Sequence, residues 1–418
     1  MKRLLLVSYF YPPLGGPGVQ RPLKLIKYLS ESGWETDVIT VEDIVFHSYD
    51  NKLAAENKAR KVFRIPSYDP MSILKKTKPK EKKIKNIYFG TPEKIKKIIR
   101  NLFPIDDKIG WLPNVMKSSK KIFKENKYDA VMATMGPYTS GLIAFKLSQK
   151  YDLPLILDYR DHWTLNPYIK YSNLLLSKHA KKWEKKILNR AEVVTTVGDV
   201  IRQDLISEFG KDLSDKILVM YNGWDEDDFP QKIKPKNNKI ILRYVGNFYG
   251  HRSVKYLIKA VEKLDNSILK KIKIQLIGNY FKETLETIQK SSCNELFDIK
   301  EQVDHSTAVM LMKTSDILLL FIASPNGKGV LTGKIFEYIR SERPIFAMIP
   351  PKGEAADILR KLGHENICAM EDVEMITENL KQLINSTEKN KLKEYKFDPN
   401  FDREHQTRNF VEFIEKKL

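Results

Sequence analysis

Cysteine is scarce in this chain of 418 residues, which contains only Cys293 and Cys368. Neither lies in a C-x-x-C pair or beside a pair of histidines, so the pattern argues against a disulfide framework and against a zinc site. So little cysteine is typical of a reducing compartment, and we expect the protein in the cytoplasm.

Long apolar runs are also missing. The run ILLLFIA at 317–323 has the length of a buried strand, well short of the ~18–20 residues that a membrane span requires. The first residues, MKRLLLVSYFYPP, are basic at the start, but their apolar run is short and ends at Pro12 and Pro13. The sequence therefore predicts neither a transmembrane helix nor a signal peptide.

Acidic residues are in deficit. The chain has 72 lysines and arginines against 53 aspartates and glutamates, and segment 75–126 alone has 16 against 5. Within that segment, EKIKKIIRNLF resembles a basic amphipathic helix that lies on an anionic membrane, although a solvated lysine-rich face is the alternative. No helix-turn-helix, zinc-finger or RNP pattern accompanies the charge, so we expect no nucleic-acid partner.

Apolar strand patterns alternate with helical patterns from the first residues onward. RLLLVSYF reads as a strand, a Pro/Gly loop follows, a helical pattern ends near Gly33, and ETDVITV reads as a second strand. The alternation continues to KILVMYNG at 216–223, stops in a polar stretch, and restarts at IILRYVGN. This order predicts an α/β protein with two doubly wound parallel sheets, each Rossmann-like.

We place the predicted boundaries at this polar stretch. The expected parts are a first domain, a linker, a second domain and a closing helix that packs back on the first domain: 1–225, 226–238, 239–399 and 400–418. Because ligands of open α/β sheets bind at the carboxyl ends of the strands, we expect the site in a cleft between the two domains.

The stretch GKGVLTGKIFEYIRSERP at 327–344 looks like a phosphate-binding loop. It is not a P-loop, since Lys328 stands where the first glycine belongs and Ile335 replaces the required Ser or Thr. Thr332 and Gly333 instead stand at a predicted helix start, whose free N–H groups suit an anion. Lys334 adds a positive charge there, and a carboxylate follows at Glu337. A capped surface helix remains the alternative.

Glycines also mark the ends of other predicted strands. Gly15, Gly16 and Gly18 follow the first strand, but Arg21 stands where the dinucleotide pattern G-x-G-x-x-G requires its last glycine. Glu42, near the end of the second strand, keeps an oxidoreductase alternative open. Two Gly-Asn pairs end the first two strands of the second domain, where each is a turn or part of a site: Gly246-Asn247 and Gly278-Asn279.

Taken in order, the motifs of nearly the whole chain resemble the GT-B glycosyltransferases of family 4 (glycosyl transferases group 1). The motifs that carry the resemblance are YFYPPLGGPGVQR, YDAVMATMGPYTSG, LPLILDYRDHW, VVTTVGD, ILVMYNGWDEDDF, YVGNFYGHRS, IQLIGN, SDILLLF and TGKIFEYIRSERPI. The resemblance implies a transferase that takes a sugar from a nucleotide-diphospho-sugar.

The resemblance also implies roles for particular residues. The diphosphate would lie at the helix start formed by Leu331, Thr332 and Gly333, with Arg252 and Lys334 neutralising its charge. Glu337 would bind the ribose hydroxyls, and the loop of Gly15 and Gly16 would close over the phosphates and the donor sugar. The family uses these cations instead of a metal, so we expect neither a metal nor a cofactor and interpret Asp225-x-Asp227 as the entry to the linker.

One position departs from the family pattern. Many relatives carry two glutamates separated by seven residues; the second matches Glu337, but the first falls on Gly329. That first acid contacts the donor sugar in relatives, and we take Asn326 or Lys328 as its candidate replacements.

The acceptor side is assigned to the end of a first-domain strand. Arg160 and Asp161 are the candidate catalytic residues, with Asp161 orienting or deprotonating the acceptor hydroxyl. The alternative is that Asp161 caps a helix or pairs with Arg160. His162 is a weaker candidate for the same role.

The resemblance implies a retaining, hexosyltransferase-type enzyme that acts on a glycan acceptor, lipid-linked, in cell-surface polysaccharide or glycan biosynthesis. We expect it in the cytoplasm, peripheral on the inner face of the membrane through segment 75–126. The alternatives are a GT-B-fold sugar-nucleotide epimerase and a non-catalytic nucleotide-sugar-binding scaffold subunit.

Overall fold

The chain divides into two compact units. A computed structural model describes residues 1–42, 44–46, 49–75, 103, 105–167, 169, 171, 173–229, 238–248, 252–323, 327–388 and 395–418. The first unit comprises Met1–Tyr221 together with Arg403–Leu418, and the second comprises Asn222–Asp402.

Strands and helices alternate through both units. The strands of the described residues are β1 (Lys2–Val7), β2 (Trp34–Val41), β3 (Lys61–Ile65), β4 (Ala130–Met135), β5 (Leu155–Tyr159), β6 (Ala191–Thr196), β7 (Ile217–Val219), β8 (Ile240–Val245), β9 (Ile272–Ile277), β10 (Phe297–Lys300), β11 (Ile317–Phe321), β12 (Ile345–Met348) and β13 (Ile367–Cys368). The α-helices are α1 (Pro17–Glu31), α2 (Asn51–Ala55), α3 (Pro70–Lys75), α4 (Leu112–Glu125), α5 (Thr139–Tyr151), α6 (Leu174–Arg190), α7 (Asp199–Phe209), α8 (Lys255–Val261), α9 (Asn266–Leu269), α10 (Lys282–Gln289), α11 (His305–Lys313), α12 (Gly333–Arg340), α13 (Glu354–Lys361), α14 (Val373–Glu388) and α15 (Arg403–Lys417).

Each unit is built on one parallel sheet. The first sheet has the strand order β3-β2-β1-β4-β5-β6-β7, and the second has the order β10-β9-β8-β11-β12-β13. In the first sheet Leu6 pairs with Val38 on one side and with Met132 on the other. The inner strands are nearly continuous apolar runs because helices cover both faces of a parallel sheet. The predicted pair of doubly wound α/β domains is confirmed.

The closing helix packs on the first unit, as predicted. Phe410, Val411 and Ile414 of α15 are buried in the same apolar cluster as Leu6 of β1 and Ile26 of α1. The helix therefore completes the layer that covers one face of the first sheet.

Of the strands in the described residues, the sequence interpretation missed three, and all three lie at sheet edges. They are β3, β10 and β13, and each is short and only partly buried. An edge strand covers less of the core, so its sequence lacks the continuous apolar run by which the inner strands are recognised.

The residues just after the first sheet belong to the second unit. Trp224 is buried against the rings of Phe397 and Phe401, and Glu226 forms an ion pair with Arg340. The sequence interpretation placed 222–225 in the first domain and 226–229 in the linker. These contacts instead attach both ranges to the second unit. Of the predicted linker, 230–237 lies outside the described residues.

Most of the predicted membrane-binding segment lies outside the described residues. The amphipathic piece within 75–126 falls largely on 76–102, which lies outside the described residues. Among the helices that the structure describes, none is both long and apolar enough to cross a bilayer.

Candidate functional site

Two glycines bring backbone segments together at the carboxyl ends of β8 and β9. Gly246 and Gly278 have φ of +138° and +155°, a region in which other residues are strained. A Cβ on Gly278 would overlap the carbonyl oxygen of Gly246 and lie 2.7 Å from Oδ1 of Asn247. The Asn247 side chain accepts a hydrogen bond from the Asn279 amide at 2.7 Å. The two predicted Gly-Asn pairs thus form one interlocked edge.

Lys334 lies directly over Gly246. A Cβ on Gly246 would overlap Nζ of Lys334 and lie 2.5 Å from its Cε, so only glycine leaves room for this side chain. The ammonium is 5.4 Å from the centre of the Tyr244 ring. The first helical turn and the end of β8 therefore share one cation.

The pKa of Lys334 is lowered from 10.5 to about 8. Burial is the main cause and the Arg252 guanidinium adds to it, while Glu337 acts in the opposite direction. No carboxylate of the described residues forms a salt bridge with Lys334 or Arg252. Two cations that repel each other at one place attract an anion.

The start of α12 lies beside these cations. Thr332 is its N-cap residue, yet its hydroxyl makes no capping bond, and Oγ1 is buried without a hydrogen-bond partner among the described residues. Gly333 is open, since a Cβ there would meet no atom within 4 Å. Leu331 is buried, and its carbonyl accepts a hydrogen bond from Asn222. The unpaired N–H groups of a helix start thus face the same region as Lys334.

A histidine that the sequence interpretation did not single out lies beside Glu337. Nε2 of His305 is 3.1 Å from Oδ2 of Asp228, and its Nδ1 is 3.9 Å from Oε1 of Glu337. His305 opens α11, and its side chain is largely buried between the two carboxylates. Nothing in the local sequence pattern indicates this contact, because the three residues are far apart in the chain.

The loop before α12 contains the position that departs from the family pattern. Gly329 and Lys328 are described, and the carbonyl of Lys328 accepts a hydrogen bond from the Glu354 amide at 2.9 Å. Asn326, the other candidate replacement for the missing glutamate, lies outside the described residues.

In the first unit, the Arg160 guanidinium binds backbone carbonyls. Its guanidinium donates to the carbonyls of Met135 and Gly18, at 3.1 and 2.9 Å, and to that of Gly136. The side chain therefore ties the end of β4 to the turn that starts α1. This is a positioning role, and the catalytic assignment of Arg160 stays a prediction.

The glycine loop and Asp161 lie on the same unit. Gly15 is buried and Gly16 has φ of +97° just before α1. Asp161 is exposed and follows Arg160; desolvation raises the pKa of its carboxyl, while Arg160 and His162 lower it. His162 itself is engaged, with Nε2 2.8 Å from Oδ2 of Asp204. Of the predicted acceptor residues, Asp161 is thus the carboxylate that remains accessible.

A buried ion pair beneath this edge was missed. Arg21 of α1 donates to Asp158 of β5 with distances of 2.7 to 3.1 Å, and to the carbonyls of Met220 and Tyr221 after β7. Burial acts to raise the pKa of Asp158, but the charge and hydrogen bonds of Arg21 prevail and hold it below its ordinary value. The residue that broke the dinucleotide pattern is therefore a structural link between α1, β5 and β7.

Glu184 is a second buried carboxylate that no motif indicated. Its oxygens accept hydrogen bonds from the Thr164 amide at 3.0 Å and from the Tyr159 hydroxyl at 3.2 Å. Burial is the main cause of its raised pKa, about 7. These bonds fix the chain just after Asp161 against α6.

The Asp225-x-Asp227 pair is part of a turn. Asp225 is buried, and its carboxylate accepts a hydrogen bond from the Asp227 amide at 3.1 Å. Among the described residues no group of three or more His, Cys, Asp or Glu side chains is placed to hold a metal ion.

Two family models match the chain, and together they span most of it. Residues 20–228 match the model described as Glycosyltransferase Family 4, and residues 225–397 match the model described as Glycosyl transferases group 1. A curated relative, an uncharacterized glycosyltransferase of Methanocaldococcus jannaschii, is 27% identical over 187 residues, which are 43% of this chain and 46% of the relative. That match therefore spans about half of the relative's length.

Solved structures share the architecture at low identity. HepE of Anabaena in complex with UDP-glucose has a TM-score of 0.61 and 14% identity, covering 100% of both chains. WaaG, described as a glycosyltransferase involved in lipopolysaccharide biosynthesis, has a TM-score of 0.58 and 13% identity over 98% of this chain and 95% of that chain. At these identities the likeness shows the fold. The family inferred from the motifs is confirmed: the chain belongs to the family 4, group 1 glycosyltransferases and has their GT-B fold.

Proposed function

We propose that this glycosyltransferase is a retaining, metal-independent hexosyltransferase that moves a sugar from a nucleotide-diphospho-sugar to a lipid-linked glycan acceptor. The observation that carries the donor assignment is the Lys334 ammonium, packed over Gly246 without a carboxylate salt bridge in the described residues. A diphosphate supplies the counterion that Lys334 and Arg252 lack, and the start of α12 adds N–H donors.

The same groups would stabilise the nucleoside diphosphate as it leaves the sugar. Sugar transfer releases a nucleoside diphosphate, and preorganised cations and N–H donors stabilise the charge that develops on it. Glu337, whose carboxylate lies 3.9 Å from Nδ1 of His305, accepts hydrogen bonds from ribose hydroxyls in this proposal. The open backbone at Gly333 lets phosphate oxygens approach closely.

Asp161 is the proposed acceptor-side residue. Its raised pKa and exposure suit a carboxylate that orients or deprotonates a hydroxyl, while Arg160 holds the adjoining backbone. Gly15 and Gly16 contribute a turn on the same unit, where Gly16 has φ of +97°. Similar structures support the choice of a nucleotide-sugar donor and a glycan acceptor: HepE was solved in complex with UDP-glucose, and WaaG is described as a glycosyltransferase involved in lipopolysaccharide biosynthesis.

The donor assignment is tested by thermal shift with UDP, GDP, ADP, CMP and NAD. A ligand at 100 times its Kd stabilises by roughly 2.7 kcal/mol. We expect one nucleoside diphosphate to stabilise the wild type and to lose its effect in Lys334→Ala/Glu337→Ala, while the exposed control pair Lys352→Ala/Glu371→Ala keeps it. Stabilisation by NAD alone would favour the oxidoreductase alternative, and no shift with any ligand would favour a scaffold.

The transfer assignment needs an acceptor. We expect donor consumption only when a lipid-linked glycan acceptor is added, no loss of rate with EDTA, and an initial product whose anomeric proton retains the donor's configuration by NMR. Donor conversion without acceptor would favour the epimerase. Inversion, or inactivation by EDTA that added metal restores, would contradict the proposed mechanism.

A further inference from the structure

Helix α6 presents two leucines to solvent at its first turn. Leu174 and Leu175 are 68% and 79% exposed, although the helix start is well formed, with the Asn173 side chain accepting from the Leu176 amide at 2.8 Å. The opposite side of the helix is fully buried through Ala180, Ile187 and others. The leucines are therefore held outward by a helix that is anchored in the first unit.

The rest of the exposed face is basic. Its lysines are Lys178, Lys181, Lys182, Lys185 and Lys186. The one carboxylate of α6, Glu184, faces the core, so no acid of the helix itself interrupts this face. Lys181 pairs with Glu208 and Lys186 lies over the Trp183 ring. Within the described part of the chain, Lys178, Lys182 and Lys185 form no salt bridge.

Helical spacing aligns the two features. Positions 174, 178, 181 and 185 fall on one line along the helix, and 175, 182 and 186 fall on the adjacent line. A pair of apolar side chains thus continues directly into a row of flexible cations. We refer to this surface, from Leu174 to Lys186, as the outer face of α6.

We propose that the outer face of α6 docks on an anionic lipid bilayer, with Leu174 and Leu175 entering the headgroup–acyl boundary. Lysine charge attracts anionic headgroups, and its long stem lets the ammonium reach them while the leucines stay deeper. Protein interfaces are depleted in lysine at their cores, and nucleic acid would leave the leucines exposed. The bilayer satisfies both halves of the surface.

The proposal goes beyond the proposed function. It assigns membrane contact to described residues outside segment 75–126, and it does not depend on which sugar is transferred. Vesicle binding and nucleotide binding are measured separately, so either assignment can fail while the other holds.

The test is flotation of the full chain with phosphatidylglycerol-rich vesicles, at low and at high salt. We expect binding at low salt that weakens at high salt, and little binding to phosphatidylcholine alone. Lys178→Glu/Lys182→Glu/Lys185→Glu should lower the partition coefficient by about 100-fold or more, because each lysine near an anionic surface contributes about 1 kcal/mol. Leu174→Ser/Leu175→Ser should lower it by about tenfold or more at either salt concentration.

Matched controls distinguish binding through this surface from an effect of net charge and from non-specific hydrophobic adsorption. Lys270→Glu/Lys290→Glu/Lys352→Glu changes the charge equally on exposed positions of the second unit, and Leu285→Ser removes a leucine that is 38% exposed on α10. All variants are first checked for an unchanged melting temperature and nucleotide-induced shift. Equal loss in both lysine triples, or full binding by the Leu174/Leu175 variant, would overturn the proposal, as would preference for RNA over vesicles.

Discussion

The lowered pKa of Lys334 predicts that nucleoside diphosphate binding weakens with pH in a range where most lysines do not titrate. With a pKa of about 8 in the free protein, roughly nine-tenths of the Lys334 side chains are protonated at pH 7 and roughly one-tenth at pH 9. A bound diphosphate favours the charged form and restores the pKa towards 10.5. Kd should therefore rise about tenfold from pH 7 to pH 9.

The sign follows from protonation. Lys334 must carry its proton to pair with the diphosphate, so binding is strongest below the pKa of the free protein and weakens above it. Near pH 9, each binding event should take up close to one proton. The phosphate itself contributes little to the profile, since its second pKa is about 6.

Isothermal titration calorimetry with UDP, in buffers of different ionisation enthalpy, measures both Kd and proton uptake. Lys334→Arg, whose guanidinium stays charged, should flatten the profile, and Lys352→Ala should keep the wild-type slope. Arg252→Ala should move the midpoint to higher pH, because Arg252 is a cause of the lowered pKa, and Glu337→Gln should move it lower. A wild-type Kd that is constant from pH 7 to 9, or an equal slope in Lys334→Arg, would refute the reasoning.

Three further predictions concern binding and stability. Gly246→Ala should displace Lys334 and raise the UDP Kd at least about tenfold by calorimetry, while Gly363→Ala, also at positive φ, should leave it unchanged. His305→Ala should reduce the preference for UDP over 2′-deoxy-UDP about tenfold, because Glu337 would be misplaced. An unchanged preference would show that His305 does not position Glu337. Asp158→Ala should lower unfolding free energy by about 3–5 kcal/mol in urea titrations, because Arg21 is left buried and unpaired; Glu415→Ala, which removes an exposed pair with Lys2, should cost under about 1 kcal/mol.

Most of the fold could be predicted from the sequence because the inner strands of a parallel sheet have a recognisable apolar pattern. Runs such as ILLLF in β11 are apolar at every position, since helices cover both faces of the sheet. Edge strands such as β3 share only one neighbour and mix exposed with buried residues, so their pattern is too weak to recognise. The predicted end of the first domain, at 225, lies after the observed start of the second unit, at Asn222, for a similar reason. The sequence WDEDD is mostly polar, and its pattern does not indicate that Trp224 is buried in the second unit.

The donor-site candidates were visible because each belongs to a local signal. Gly246 and Gly278 follow the ends of strands. Lys334 falls in the first turn of a helix whose start the sequence pattern predicts, and Glu337 follows one turn into that helix. His305 has no such signal, because its partners Asp228 and Glu337 lie 77 and 32 residues away in the chain. Contacts of that range depend on the completed sheet, which the periodicity of one segment does not reveal.

Arg21 shows how a broken motif can carry physical information. A dinucleotide fold needs glycine at this position so that the helix can pack closely on its strand. Here a guanidinium fills that place, and its cost of burial is offset by Asp158 together with the carbonyls of Met220 and Tyr221. The same first turn is held again by Arg160, which binds the carbonyl of Gly18. The departure from the glycine pattern is thus accompanied by two arginines, Arg21 and Arg160, whose hydrogen bonds hold the first turn of α1 to the neighbouring strand ends.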